Sequence, residues 1–166
     1  GLNLWDTLWE AGQPHGIFAL GAGAFNSLRV EKGYRAVGTD LTAEYNPFEA
    51  GLGWAVRLKK GDFVGRDALL AAKEHVQRKL CCLTSDDPKA MALGKEPVYA
   101  RSKAIGYLTS VDYGYSIGKL VGYAYLPLDY TAVGTQLEIQ YFDQRFPVVV
   151  AQDPQYDPNM ERLKAE

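Results

Sequence analysis

With 166 residues, 47% of them hydrophobic and 23% charged, the chain is long enough for one compact domain or two small packed units, and its composition excludes a disordered or fibrous protein. A net charge of −2 with no lysine and arginine run excludes an electrostatic nucleic-acid groove, so no nucleic-acid partner is expected. The apolar stretches are strand-length, short of the roughly 20 residues that span a bilayer, so no membrane partner is expected either.

Leu4, Leu8 and Ala11 recur at helical spacing beside Trp5 and Trp9, which predicts a first helix with Asn3 as its N-cap and Gly12 as its stop. The stretch carries Asp6 and lacks a basic start, unlike a secretory signal. Such a well-patterned helix at the very start, in an α+β half with few strands, reads as part of something longer. Gly16 to Leu20 is short, apolar and strand-capable. A second helix is expected from Ala24 to Lys32, ended by Gly33. Thr39 to Pro47 reads as a loop, Pro47 to Gly51 as a helical turn, and Gly53 to Lys59 alternates as a strand that places Trp54 in a core. Arg66 to Val76 predicts a third, amphipathic helix with Leu69, Leu70 and Val76 inward.

After about Lys79 the texture becomes all-β. Lys79–Leu83, Pro97–Ala100, Ala104–Thr109, Val121–Leu126, Gln136–Tyr141 and Arg145–Val150 are short β-rich runs punctuated by Gly, Pro and Asp. The fold class is therefore α+β, with residues 1–78 forming one unit and residues 79–166 a small antiparallel barrel or jelly roll. Cys81 and Cys82 are adjacent, which suits neither a disulfide nor a metal site. One is expected to face the core and the other the surface, in a reducing compartment.

Glu31 lies three residues after Leu28 and seven after Ala24, so at about 100° per residue the three share one side of the second helix. A carboxylate there needs a partner. One reading is an ion pair with Arg35. The other is a ligand whose ring edge carries a ring N–H beside an NH₂, as a pterin does, because a carboxylate accepts two parallel hydrogen bonds. His15 and His75 have no metal-ligand spacing, Gly21-Ala-Gly-Ala-Phe-Asn lacks the third glycine of a dinucleotide fingerprint, and Ser27 and Ser116 lack a nucleophile elbow. No catalytic or metal residue is expected in this stretch.

The string Ser27-Leu-Arg-Val-Glu-Lys-Gly-Tyr-Arg35 followed by Gly38-Thr-Asp-Leu41 resembles the glycine cleavage T-protein (aminomethyltransferase) family, in the form found in the folate modules of dimethylglycine and sarcosine dehydrogenases. Leu4 to Gly12, Pro47 to Gly53, Asp62 to Leu69, Arg78 to Leu80, Gly94 to Val98, Thr109-Ser110, Ala124 to Pro127, Gly134-Thr135 and Pro154 to Pro158 keep the family's order, so the likeness spans nearly the whole chain. It implies the C-terminal part of the aminomethyltransferase folate-binding fold, followed by the barrel. Tetrahydrofolate is the implied ligand, with Glu31 on the pterin. The same likeness suggests Arg66 or Lys60 for the folate glutamate tail, since a guanidinium matches a carboxylate bidentately. Trp54 is a further candidate, stacking on a ring. The rival readings are an Arg66 salt bridge to Asp62 or Asp67 and a core Trp54. Tyr113 to Gly118 is a barrel turn that could close over a ligand.

In such dehydrogenases an FAD domain oxidises a methylated amine and the folate module captures the carbon as methylene-tetrahydrofolate. The FAD domain and the first half of the folate site would lie upstream in the same parent, in bacterial cytoplasm or mitochondrial matrix, and this part alone would do no chemistry. The alternatives are a free-standing aminomethyltransferase of glycine cleavage and a non-catalytic folate-binding module.

Overall fold

The structure, a computed structural model, describes residues 1–165. Helix α1 covers Leu2–Gly12, α2 Ala22–Glu31, α3 Arg66–Glu74 and the short α4 Glu161–Lys164. Between α3 and α4 lie six strands: β1 Arg78–Ser85, β2 Pro97–Ala100, β3 Lys103–Gly114, β4 Lys119–Pro127, β5 Gln136–Tyr141 and β6 Gln144–Ala151.

The strands form a closed antiparallel barrel in the order β1-β4-β3-β2-β5-β6. Because β1 pairs with both β4 and β6, no edge strand is left to be capped. Alternation supplies the filling: Cys81 and Leu83 of β1, Ala124 and Leu126 of β4, Leu137 and Ile139 of β5, and Phe146, Val148 and Val150 of β6 all point inward. Burying each larger side chain of this set stabilises the fold by about 1.5–3 kcal/mol.

Several local expectations need correction. Asn3 does not cap α1: Gly1 holds that position, and the Asn3 carbonyl accepts a bond from the Thr7 hydroxyl (2.8 Å). Gly16 to Leu20 forms no strand, since no neighbouring strand offers it a ladder. Gly53 to Lys59 is a single 3₁₀ turn, Gly53–Ala55, followed by irregular chain. Its alternation was real in sequence but met no partner, and Trp54 is 77% exposed rather than in a core. Helix α3 stops two residues early, at Glu74, with Leu70 exposed and Leu69 and Val76 half-buried. Helix α2 begins two residues early, at Ala22. Cys82 faces outward on β1 as alternation requires, yet it is buried, because Val30 of α2 covers that outer face together with Val121 and Tyr123.

Candidate functional site

Helix α2 lies across β3 and β4, and its barrel face is Ser27, Val30 and Glu31, the i, i+3, i+4 set of one helix side. Three polar contacts fix it there. The Asn26 amide donates to Asp112 Oδ2 (2.6 Å), the Ser27 hydroxyl donates to the Tyr113 carbonyl (2.5 Å), and the Arg29 guanidinium donates to Ser110 Oγ (2.9 Å). Gly33, at φ 75°, ends the helix, and a Cβ there would meet Asp153 Oδ1 at 2.7 Å. Only glycine lets the C-terminal tail pack against this helix end.

Beneath α2 is a buried polar cluster on Asp40, which is 1% exposed. Its carboxylate pairs with Arg29 (3.1 Å) and accepts bonds from the Ala36 amide (2.9 Å), the Thr109 hydroxyl (2.5 Å) and the Ser110 hydroxyl (2.8 Å). Thr109 and Ser110 are consecutive and would face opposite sides of a regular strand. They reach the same carboxylate because the β3–β4 register shifts between Leu108 and Ser110, and such a bulge re-aims side chains. The Asp40 carbonyl also accepts the Tyr125 hydroxyl (2.8 Å), and Tyr125 stacks on Tyr45 at 3.5 Å.

Glu31 occupies the last position of α2 and is 1% exposed. The ion pair with Arg35 does not form: Arg35 pairs with Asp153 and lies over the Tyr123 ring (5.0 Å). Lys32 pairs with Asp157 (2.8 Å) and holds that carboxyl below the usual carboxylate range. Among the described residues, Glu31 has no cationic partner within ion-pair distance. Its donors are both from Ser116, in the turn between β3 and β4. The Ser116 amide reaches Oε2 (3.1 Å) and the Ser116 hydroxyl reaches Oε1 (2.6 Å). An ionised carboxylate has about four acceptor positions, so these two bonds leave capacity for two more donors.

Glu31 borders a cavity of about 550 Å³ whose walls include Phe25, Leu28, Tyr34, Ser116 and Tyr156. Lys32, Asp157 and Arg162 also line it, so the walls combine aromatic and aliphatic surface with the Glu31 carboxylate and a charged rim, a lining that suits a flat heterocycle with polar edges. The Tyr156 amide donates to the Glu31 carbonyl (2.9 Å), so the tail that forms one wall is tied to the same residue.

The other sequence candidates lie apart. Trp54 lines a second cavity of about 520 Å³ with Arg35, Met160, Lys32 and Tyr34, the last two shared with the first cavity. Arg66 and Lys60 line neither. Arg66 donates to the Leu58 carbonyl (3.1 Å) and pairs loosely with Asp67 (3.5 Å), and Lys60 lies over the Phe63 ring (4.5 Å). The structure therefore brings Glu31 together with Ser116, Tyr34 and Tyr156, which the sequence reading had not joined to it. The glycines flanking Ser116 signalled a turn, but no local pattern tells that a turn 85 residues downstream meets a helix end.

Both cysteines are free and buried, and burial pushes the Cys81 thiol up to about 11 and the Cys82 thiol up to about 12. Cys81 packs inside the barrel and Cys82 packs under α2.

A closed barrel that carries a docked helix, with a walled cavity at the helix end, defines this chain as a helix-on-barrel module with a built small-molecule-sized cavity. The model of the glycine cleavage T-protein C-terminal barrel domain matches residues 78–157, and the GCVT N-terminal domain model matches residues 1–60. The chain belongs to the glycine cleavage T-protein (aminomethyltransferase) family. It is 38% identical to mitochondrial dimethylglycine dehydrogenase of Homo sapiens, with 97% of this chain and 19% of that protein aligned. It is 37% identical to an aminomethyltransferase of Symbiobacterium thermophilum over 92% of this chain and 41% of that protein. The crystal structure of the glycine cleavage system aminomethyltransferase T from Bartonella henselae superposes with a TM-score of 0.73 at 26% identity, covering 80% of this chain and 38% of that one. The chain thus spans about a fifth of the dehydrogenase and about two fifths of the aminomethyltransferase.

Proposed function

We propose that the chain is the C-terminal portion of a tetrahydrofolate-binding module in a flavin-linked dehydrogenase of the dimethylglycine or sarcosine type. Residues 1–78 would complete the folate-binding fold and residues 79–166 would form its barrel. The observation that carries this reading is the Glu31 carboxylate. It is buried, has no cation within ion-pair distance among the described residues, is held by two neutral donors, and borders a cavity with Phe25, Tyr34 and Tyr156 in its walls and Lys32, Asp157 and Arg162 beside them. An anion buried this way is costly unless further donors reach it, and a pterin edge offers two in parallel.

Bound tetrahydrofolate would supply the N5 and N10 nucleophiles that accept a one-carbon unit as methylene-tetrahydrofolate. The protein's part is positioning: Glu31 orients the pterin, and Phe25, Leu28 and Tyr156 exclude water. The FAD site and the other wall of the folate funnel belong to upstream portions of the same parent. The exposed Leu4, Trp5, Leu8 and Phe18 supply an apolar face for the upstream folate half to cover. On this reading the chain alone performs no redox step.

In the full-length protein, Glu31→Gln is expected to weaken binding of folinic acid by about ten- to a hundredfold, the value of one or two hydrogen bonds to a charged group, while flavin reduction by the amine stays unchanged. Unchanged folate affinity would remove the pterin role from Glu31.

A further inference from the structure

Ser116 is exposed at the tip of the β3–β4 hairpin, yet both of its donors turn inward, one to each oxygen of Glu31. That arrangement does more than satisfy a charge. Two bonds from one residue, at 3.1 Å to Oε2 and 2.6 Å to Oε1, fix the carboxylate plane, which a single bond leaves free to turn. The hairpin is itself immobilised against α2 by Ser27 on the Tyr113 carbonyl and Asn26 on Asp112. Gly114 permits the approach: a Cβ there would stand 3.1 Å from Glu31 Oε2 and 2.9 Å from Ile117 Cγ1. Helix end, hairpin and carboxylate therefore form one rigid unit, built from segments 85 residues apart.

We propose that Ser116 is a positioning residue for ligand recognition, a role that rests on the tetrahydrofolate reading of the cavity. It sets the plane of the Glu31 carboxylate so that the two unused acceptor positions face a ring N–H and an adjacent NH₂ together. The ligand class is a planar heterocycle with that two-donor edge. Although Ser116 also lines the cavity, its effect on binding is to pass through Glu31 rather than through a direct contact with the ligand.

The test is a double-mutant cycle in the full-length protein, with folinic acid titrated calorimetrically. Ser116→Ala is expected to weaken binding about tenfold, and Ser116→Thr, which keeps the hydroxyl, to stay within about threefold of wild type. Adding Ser116→Ala to Glu31→Gln is expected to weaken binding by less than twofold beyond Glu31→Gln alone. A merely structural role would lose the same factor in both backgrounds, so that outcome overturns the proposal. If Glu31→Gln loses affinity while Ser116→Ala binds as wild type, the positioning role falls and the folate reading stands. If Glu31→Gln itself binds as wild type, the folate reading falls first.

Discussion

The barrel and α1 have similarly apolar patterns and opposite fates. In the barrel, Leu83, Val98, Leu108, Leu126 and Ile139 are at most 1% exposed. In α1, Leu2, Leu4, Trp5, Leu8 and Trp9 are 37–73% exposed, although the helix is regular and Trp5 stacks on Trp9. The difference is closure. Six strands that pair in a ring satisfy every ladder and enclose an interior without help, whereas an amphipathic helix needs a second surface, and among the described residues α1 meets little beyond Ile17 to Leu20. Helix α2 stands between the two cases: its barrel face is locked while Phe25 and Leu28 on its other side remain exposed and border the cavity.

This contrast is sharpest where the lock is polar. Asp40→Ala leaves the Arg29 charge and two buried hydroxyls without their acceptor, and is expected to destabilise the fold by about 4 kcal/mol in a denaturant melt. A loss under about 1 kcal/mol would mean that the cluster does not hold α2 to the bulge. Ile139→Ala, at a fully buried barrel position, is expected to lose about 3 kcal/mol. Leu8→Ala in the exposed face of α1 is expected to change the stability of this chain by less than about 0.5 kcal/mol. Equal losses at the two sites would erase the distinction drawn between them.

The thiols give an effect that shows only at alkaline pH. Cys81 and Cys82 ionise near 11 and 12 when folded, against an ordinary value of about 8.5, so the folded state keeps protons that the unfolded state releases. Stability from this source is full below about 8.5 and falls as the pH rises towards 12. Correspondingly, iodoacetamide at pH 8 should leave both cysteines unmodified until denaturant is added. Rapid labelling of Cys82 in the native chain would show that α2 does not cover the outer face of β1.

The strand half was legible because period-2 alternation and turn residues are local and each run found a partner. Where a similar alternation at Gly53 to Lys59 had no neighbour, the reading failed. Cys82 misled for the converse reason: it does point away from the barrel interior, but whether an outer face is wet depends on a helix about fifty residues upstream. Glu31 was visible as a carboxylate beside apolar residues. Its fixing by Ser116, the Asp40 cluster and the tail wall at Tyr156 were not, since each depends on long-range contacts and, for Thr109 and Ser110, on a bulge that overrides alternation.

On the proposed reading, this chain carries the pterin-facing side of a folate site centred on Glu31. Hydrogen–deuterium exchange of the full-length protein, with and without folinic acid, tests it directly. Slowed exchange on ligand addition is expected in residues 28–34 at the end of α2, in residues 113–118 of the β3–β4 hairpin and around Tyr156. Binding accompanied by protection only elsewhere, with these three segments unchanged, would contradict the account.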